Sequence, residues 1–207
     1  MLRILCRFAV AEDWRKDDPT RDVRRVRYQS EGFRTWQEAD IKAFEAHHAP
    51  GSRARLALAL LLYTGQRPGD VARMGRQHVR DGRMNIRQTK TGTELSIPLH
   101  PELAAALATA PVGHLTFLTT KDGAGFTPGG FGNWFGECAR AAGVAEGCTA
   151  HGLRKAAARR LAEAGCTVHE IAAITGHKSL REVERYTKGA EQARLADRAV
   201  ARVVRVP

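Results

Sequence analysis

The stretch His151–Tyr186, HGLRKAAARRLAEAGCTVHEIAAITGHKSLREVERY, carries the reading from which the fold is built outward. Leu153, Ala157, Leu161 and Ala164 recur at helical spacing and give an apolar stripe over Gly152–Ala164. Thr167 and Glu170 form a capping box, in which hydroxyl and carboxylate satisfy the first free amides of a helix over Thr167–Ile174. Gly176 closes that helix and turns the chain. Ser179 with Glu182 opens another, over Leu180–Thr187. Polar groups collect at the corners between these short helices. His151 and Arg154 stand three apart at a helix start and project from one face. His177 sits in the turn after Gly176, and Tyr186 lies nine residues further on.

Upstream, Thr35 and Glu38 read as the capping box of a helix running to about His48. Ser52–Thr64 is so rich in Ala and Leu that it must be buried on most faces. Gly65 ends it, and a short helix is expected over Pro68–Met74. The period then changes. Arg83–Thr89 and Glu94–Leu99 read as strands joined around Lys90-Thr91-Gly92 as a hairpin, with His114–Thr119 as a third strand. Helices resume over Pro128–Ala142, and the last is expected over Glu191–Val204. That final helix sets Leu195, Ala196, Ala199, Val200 and Val203 on one side, a stripe to be buried either on its own domain or on a neighbouring protomer. At the other end Leu2–Trp14 has helical spacing, and Arg21–Arg27 is a basic strip suited to a linker over a phosphate backbone.

The 207 residues contain 33 Lys and Arg against 22 Asp and Glu, a formal charge of +11, which points to a polyanionic partner. Aromatic residues make up only 6%, too few for the interleaved stacking platforms of an RNA-binding surface. Cys6, Cys138, Cys148 and Cys166 are scattered without a CxxC pair, which argues against a structural metal and for reduced thiols in a cytosol. The apolar run Leu56–Tyr63 is too short for a bilayer, and the N-terminus has no cleavage site of a signal peptide. The expected location is the cytoplasm, in association with the nucleoid.

Arg67 follows a helix stop at the mouth of the next helix, a place suited to holding a phosphate, with Asp70 placed to brace its guanidinium. A His and an Arg offered together from a helix start suit developing negative charge on phosphate oxygens. In order along the chain, Arg67, Lys90 in the hairpin, the HxxR box of His151 and Arg154, the GH pair ending in His177, and Tyr186 resemble the pattern of the tyrosine recombinase (phage integrase) family. The match covers roughly residues 32–188. Gln66 and Pro68 flank Arg67 where that pattern has small or apolar residues, and neither removes a working group.

The resemblance implies an α+β, mostly helical fold, the tyrosine recombinase catalytic domain with its small antiparallel β-sheet. It implies a site-specific recombinase or integrase that cleaves and rejoins double-stranded DNA through a 3′-phosphotyrosyl link to Tyr186. No metal and no cofactor enter. Arg67 and Arg154 would clamp the phosphate, Lys90 protonate the leaving 5′ oxygen, and His151 help Tyr186 lose its proton. His177 would hold the phosphate or position Tyr186. The likeness also divides the chain into residues 1–31, the last part of an N-terminal core-binding domain with its linker, residues 32–188, the catalytic domain, and residues 189–207, a docking helix that joins subunits of a tetramer on DNA. With so little of the N-terminal clamp, weak, salt-sensitive binding and impaired recombination are expected. The alternative is a DNA-binding protein without chemistry, an inactive or truncated relative. It accounts for the charge and the short helices but leaves Lys90 and Tyr186 without a purpose.

Overall fold

A buried helix with apolar side chains on nearly every face organises the larger of two units. The structure is a computed structural model and describes residues 1–24 and 32–203; beyond residue 184 the side chains described are those at 192, 196, 197, 199–201 and 203. The chain divides into Met1–Gly32 and Phe33–Pro207.

In the smaller unit α1 (Leu2–Ala11) is strongly amphipathic, yet none of its side chains is buried. It is shorter than expected because Asp13 takes a left-handed φ of 56° and turns the chain, setting Trp14 edge-to-face on Phe8 at 5.6 Å. The Arg3 guanidinium ties the following turns down, donating to the carbonyls of Thr20 at 2.9 Å and Val23 at 2.6 Å. Of the basic strip 21–27, residues 25–27 lie outside the described residues, as does Tyr28.

In the larger unit α2 (Glu38–His47) is followed by α3 (Arg53–Thr64), whose buried residues run from Ala54 and Leu56 through Leu62 to Thr64. Ser52 caps its start by accepting the Arg55 amide at 3.3 Å, and Gly65 ends it at φ +61°, where a side chain would be strained. Each leucine enclosed here contributes about 1.5–3 kcal/mol by leaving water. Four further helices meet this one: α4 (Pro68–Val71), α5 (Pro101–Thr109), α6 (Pro128–Ala141) and α7 (Ala150–Glu163). Trp36, Phe44, Phe131 and Phe135, all fully buried, fill the space on one side of α3, with Phe44 and Phe135 stacked at 5.2 Å.

The sheet is antiparallel, in the order β1 (Val79–Arg80), β2 (Arg83–Arg87), β3 (Glu94–Pro98). Met84 pairs with Ile97 and Ile86 with Leu95, so one face alternates into the core. Beyond α7 come α8 (Val168–Thr175), capped by the Thr167–Glu170 box as the sequence predicts, and α9 (Leu180–Val203). Val183 at the start of α9 is fully buried against Ala158, Ala162 and Ile171.

Several elements differ from the sequence reading. The cap of α2 is Gln37, whose amide donates to Asp40 at 2.8 Å, not Thr35 with Glu38. Trp36 is responsible: its indole N–H donates to the Thr149 carbonyl at 2.9 Å inside the core, so the chain stays extended to that point. Glu38 pairs with Arg159 at 2.8 Å instead. His114–Thr119 is not a strand of the sheet. Phe117 and Leu118 plunge into the core there, the Phe117 amide bonding Met74 at 2.7 Å, and Val79–Arg80 supplies the third strand. The helix α5 had no counterpart in the sequence reading. The two helices expected over Leu180–Thr187 and Glu191–Val204 are one, α9. Of its expected stripe, Ala196, Ala199, Val200 and Val203 are exposed, while the Leu195 side chain lies outside the described residues.

Candidate active site

Gly65 stops α3 and leaves Arg67 as the residue that enters α4, with Pro68 as its first helical residue. From that position the Arg67 guanidinium donates to Gln88 Oε1 at 2.9 Å. Gln88 begins the turn between β2 and β3: its amide bonds the Thr93 carbonyl at 2.9 Å, and its carbonyl accepts from Gly92 at 2.8 Å. The turn carries Lys90 to the edge of a cavity of about 290 Å³ lined by Arg67, Asp70, Arg73, Thr89, Lys90 and His151. His151, in the first turn of α7, stacks flat on Phe33, with ring centroids 4.4 Å apart and 15° between planes.

Arg154 and His177 are set behind that cavity. Arg154 is buried and donates to the carbonyls of Gly65 at 2.8 Å and Thr175 at 2.7 Å, the last residues around the stops of α3 and α8. The Thr175 hydroxyl gives its hydrogen to the Ile171 carbonyl at 2.7 Å. The same hydroxyl lies 2.7 Å from His177 Nδ1, and this hydrogen bond holds the imidazole at the corner. Gly176 between them has φ +71°, and a Cβ there would come within 2.4 Å of Gln88 Nε2. Only glycine lets the GH corner lie on the strand end.

Charge and burial act together on the two histidines. Burial, then the positive charges of Arg154, Arg67 and Lys90, holds His151 below the ordinary imidazole range. Burial, reinforced by Arg154 and Arg67, pushes His177 down to about 4. Both rings are neutral at pH 7 with nothing bound. Asp70 does not brace Arg67 as the sequence suggests; its Oδ1 accepts the Thr89 amide at 2.9 Å and ties the hairpin base to α4. The side chain of Tyr186, on α9, lies outside the described residues. Among the described residues no cluster of His, Cys, Asp or Glu is arranged to hold a metal, and no helix is long and apolar enough to cross a membrane.

Sequence reasoning missed Gln88, Thr175, Arg73 and Phe33. Gln88 had a signal: it continues the inward register of Met84 and Ile86, where an apolar residue is expected, and it is fully buried. Arg73 donates to Thr89 at 2.9 Å across the cavity mouth, a contact between distant segments that no local pattern encodes.

Residues 36–193 match the phage integrase family. The chain belongs to that family. Its relatives include the integrase of Enterobacteria phage 434, 30% identical over 92 residues, which are 44% of this chain and 26% of that protein. The match thus spans about a quarter of the relative's length. The structure of a lambda integrase dimer bound to a COC′ core site is similar with a TM-score of 0.74 at 25% identity, covering 90% of this chain and 70% of that one. The lambda integrase catalytic core superposes with a TM-score of 0.57 at 25% identity, over 70% of this chain and 91% of its own. For a chain of this family, a cavity walled by two arginines and a lysine is suited to a phosphate, because planar guanidinium forks match pairs of phosphate oxygens.

Proposed function

We propose that this integrase-family chain is a site-specific recombinase that cleaves and rejoins double-stranded DNA through Tyr186. The observation that carries the reading is the convergence of Arg67, Lys90 and His151 on one cavity, with Arg154 and His177 fastened behind it at Thr175. The Tyr186 oxygen attacks a backbone phosphorus, and its proton passes to the neutral imidazole of His151. The bond from phosphorus to the 5′ oxygen breaks, and Lys90 gives that oxygen a proton. A 3′-phosphotyrosyl link and a free 5′-hydroxyl result. Attack by another 5′-hydroxyl runs the step backwards and reseals a strand, since the bond energy stays in the protein–DNA link.

Arg67 and Arg154 stabilise the charge that gathers on the nonbridging oxygens; losing one such preorganised donor costs about 3–4 kcal/mol. Both histidines are held neutral by burial first and by neighbouring cations second, and an arriving phosphate offsets the second of these. Phosphate therefore raises the basicity of His151, while His177 holds the phosphate or positions Tyr186. Asp70 acts from behind, holding the hairpin that carries Lys90.

Residues 1–31 serve as a core-binding segment with its linker, residues 32–188 as the catalytic domain, and residues 189–207 as a docking element between subunits of a homotetramer on DNA. The reaction takes place in the cytoplasm, at the nucleoid. A nicked suicide DNA bearing candidate sites tests the chemistry: the protein should form a denaturation-resistant adduct. Tyr186→Phe should abolish it while DNA affinity stays within about threefold, because no cation is removed. An adduct that survives in this variant overturns the nucleophile. Firm DNA binding without any adduct in the parent protein would leave a DNA-binding protein without chemistry.

A further inference from the structure

The side chain of Gln88 uses every hydrogen-bonding site it has. Its Oε1 accepts from Arg67 at 2.9 Å and from the Thr91 hydroxyl at 2.7 Å. Its Nε2 donates to Gln66 Oε1 at 2.6 Å and to the Thr175 carbonyl at 2.8 Å. Gln66, also fully buried, is held in turn by the carbonyls of Thr64 at 2.9 Å and Ile174 at 2.8 Å. The orientation of the Gln88 amide is forced, since the reverse would aim its NH₂ at a guanidinium and its oxygen at a carbonyl. Thr175, which receives one of its hydrogens, is also the residue that holds Arg154 and His177.

We infer that Gln88 is the positioning residue of this site, a neutral bridge that sets Arg67, the Lys90 turn and the Thr175 corner in one fixed relation. The inference rests on the recombinase reading for its effect on rate, and on the geometry alone for its effect on Arg67. Neutrality is what the position requires. A carboxylate would accept from Arg67 equally well but would pair with its charge and draw it from the phosphate. It would also face Gln66 Oε1 and the Thr175 carbonyl with lone pairs where the amide offers hydrogens. An apolar side chain would leave Arg67 without its tether inside the cavity wall. The elements meeting here come from residues far apart in sequence, so no local preference holds Arg67 in register with Thr175.

The test compares the full chain with its Gln88→Leu and Gln88→Glu variants. Gln88→Leu should bind a suicide DNA duplex within about threefold of the parent and cleave it roughly 100-fold more slowly in a single turnover, the loss expected when a reacting group is displaced by about 1 Å. Gln88→Glu should lose both rate and affinity for inorganic phosphate. A merely structural role would lower the melting temperature and move binding and rate together. In the parent protein, ¹⁵N-detected NMR should show rotation of the Arg67 guanidinium slowed relative to that of exposed Arg87. A freely rotating Arg67, or a folded Gln88→Leu protein that cleaves at the parent rate, overturns the inference. If the parent forms no adduct, the recombinase reading fails while the NMR result still decides the role of Gln88, as it does if a variant does not fold.

Discussion

At the scale of single residues, the environment of His151 shows how the cavity sets chemical character without altering chain path. Its ring lies against Phe33, a residue half open to solvent whose carbonyl is held by Lys155. That cover is part of the burial that disfavours the imidazolium, the largest cause of its lowered pKa. Phe33→Ala readmits water and favours the charged form, so the His151 pKa should rise toward the ordinary value. Proton NMR titration of the ring in the free protein checks this, and an unchanged or lower pKa would show that the cations alone set it. Arg67, Lys90 and His151, which the fold brings to one cavity, were legible as candidates, because order and spacing survive in one dimension. Gln88 was not, because a buried carboxamide draws meaning only from partners at Gln66, Arg67 and Thr175.

Among the elements, those with strong local signals formed where the sequence placed them. The helix over Arg53–Thr64 has its serine cap and glycine stop, and the one over Val168–Thr175 has its capping box. The Thr35–Glu38 box failed although its residue types were right, because burying the Trp36 indole outweighs two side-chain contacts to helix amides. The helix over Pro101–Thr109 carried fair signals, with His100 accepting the Glu102 amide at 3.2 Å and Pro101 in first place, yet it has little amphipathic contrast. The long helix α9 is anchored by Val183, while Val200 and Val203, near its far end, stay 63% and 72% exposed. In the proposed assembly this end of α9 is the part that docks between subunits. Removing the residues after Thr187 should leave the melting temperature of the catalytic unit nearly unchanged and weaken assembly of several protomers on DNA. Analytical ultracentrifugation of the protein–DNA complex is the check, and unaltered assembly would favour packing of this segment on its own domain.

For the molecule as a whole, the formal charge of +11 makes affinity for the proposed DNA partner a function of salt. Log affinity should fall linearly with log salt, and Arg73→Ala should make that slope shallower by about 0.9, the share of one phosphate contact. Titrations by fluorescence anisotropy between low and physiological salt measure it; an unchanged slope would remove Arg73 from the DNA surface. What the sequence determined by itself was the set of local structures with self-contained signals, the basic balance and the ordered series from Arg67 to Tyr186. These depend on residue type and short spacing, which the chain carries before it folds. Only the tertiary structure decided that Asp70 holds the hairpin rather than Arg67, that His177 is tied to the Thr175 hydroxyl, and that Gln88 joins the arginine wall to the Thr175 corner. The first and last of those outcomes depend on which donor finds which acceptor across 19 to 87 residues of chain, and the second on how the Gly176 corner folds back. Such pairings exist only once the core has closed and excluded water as a competing partner.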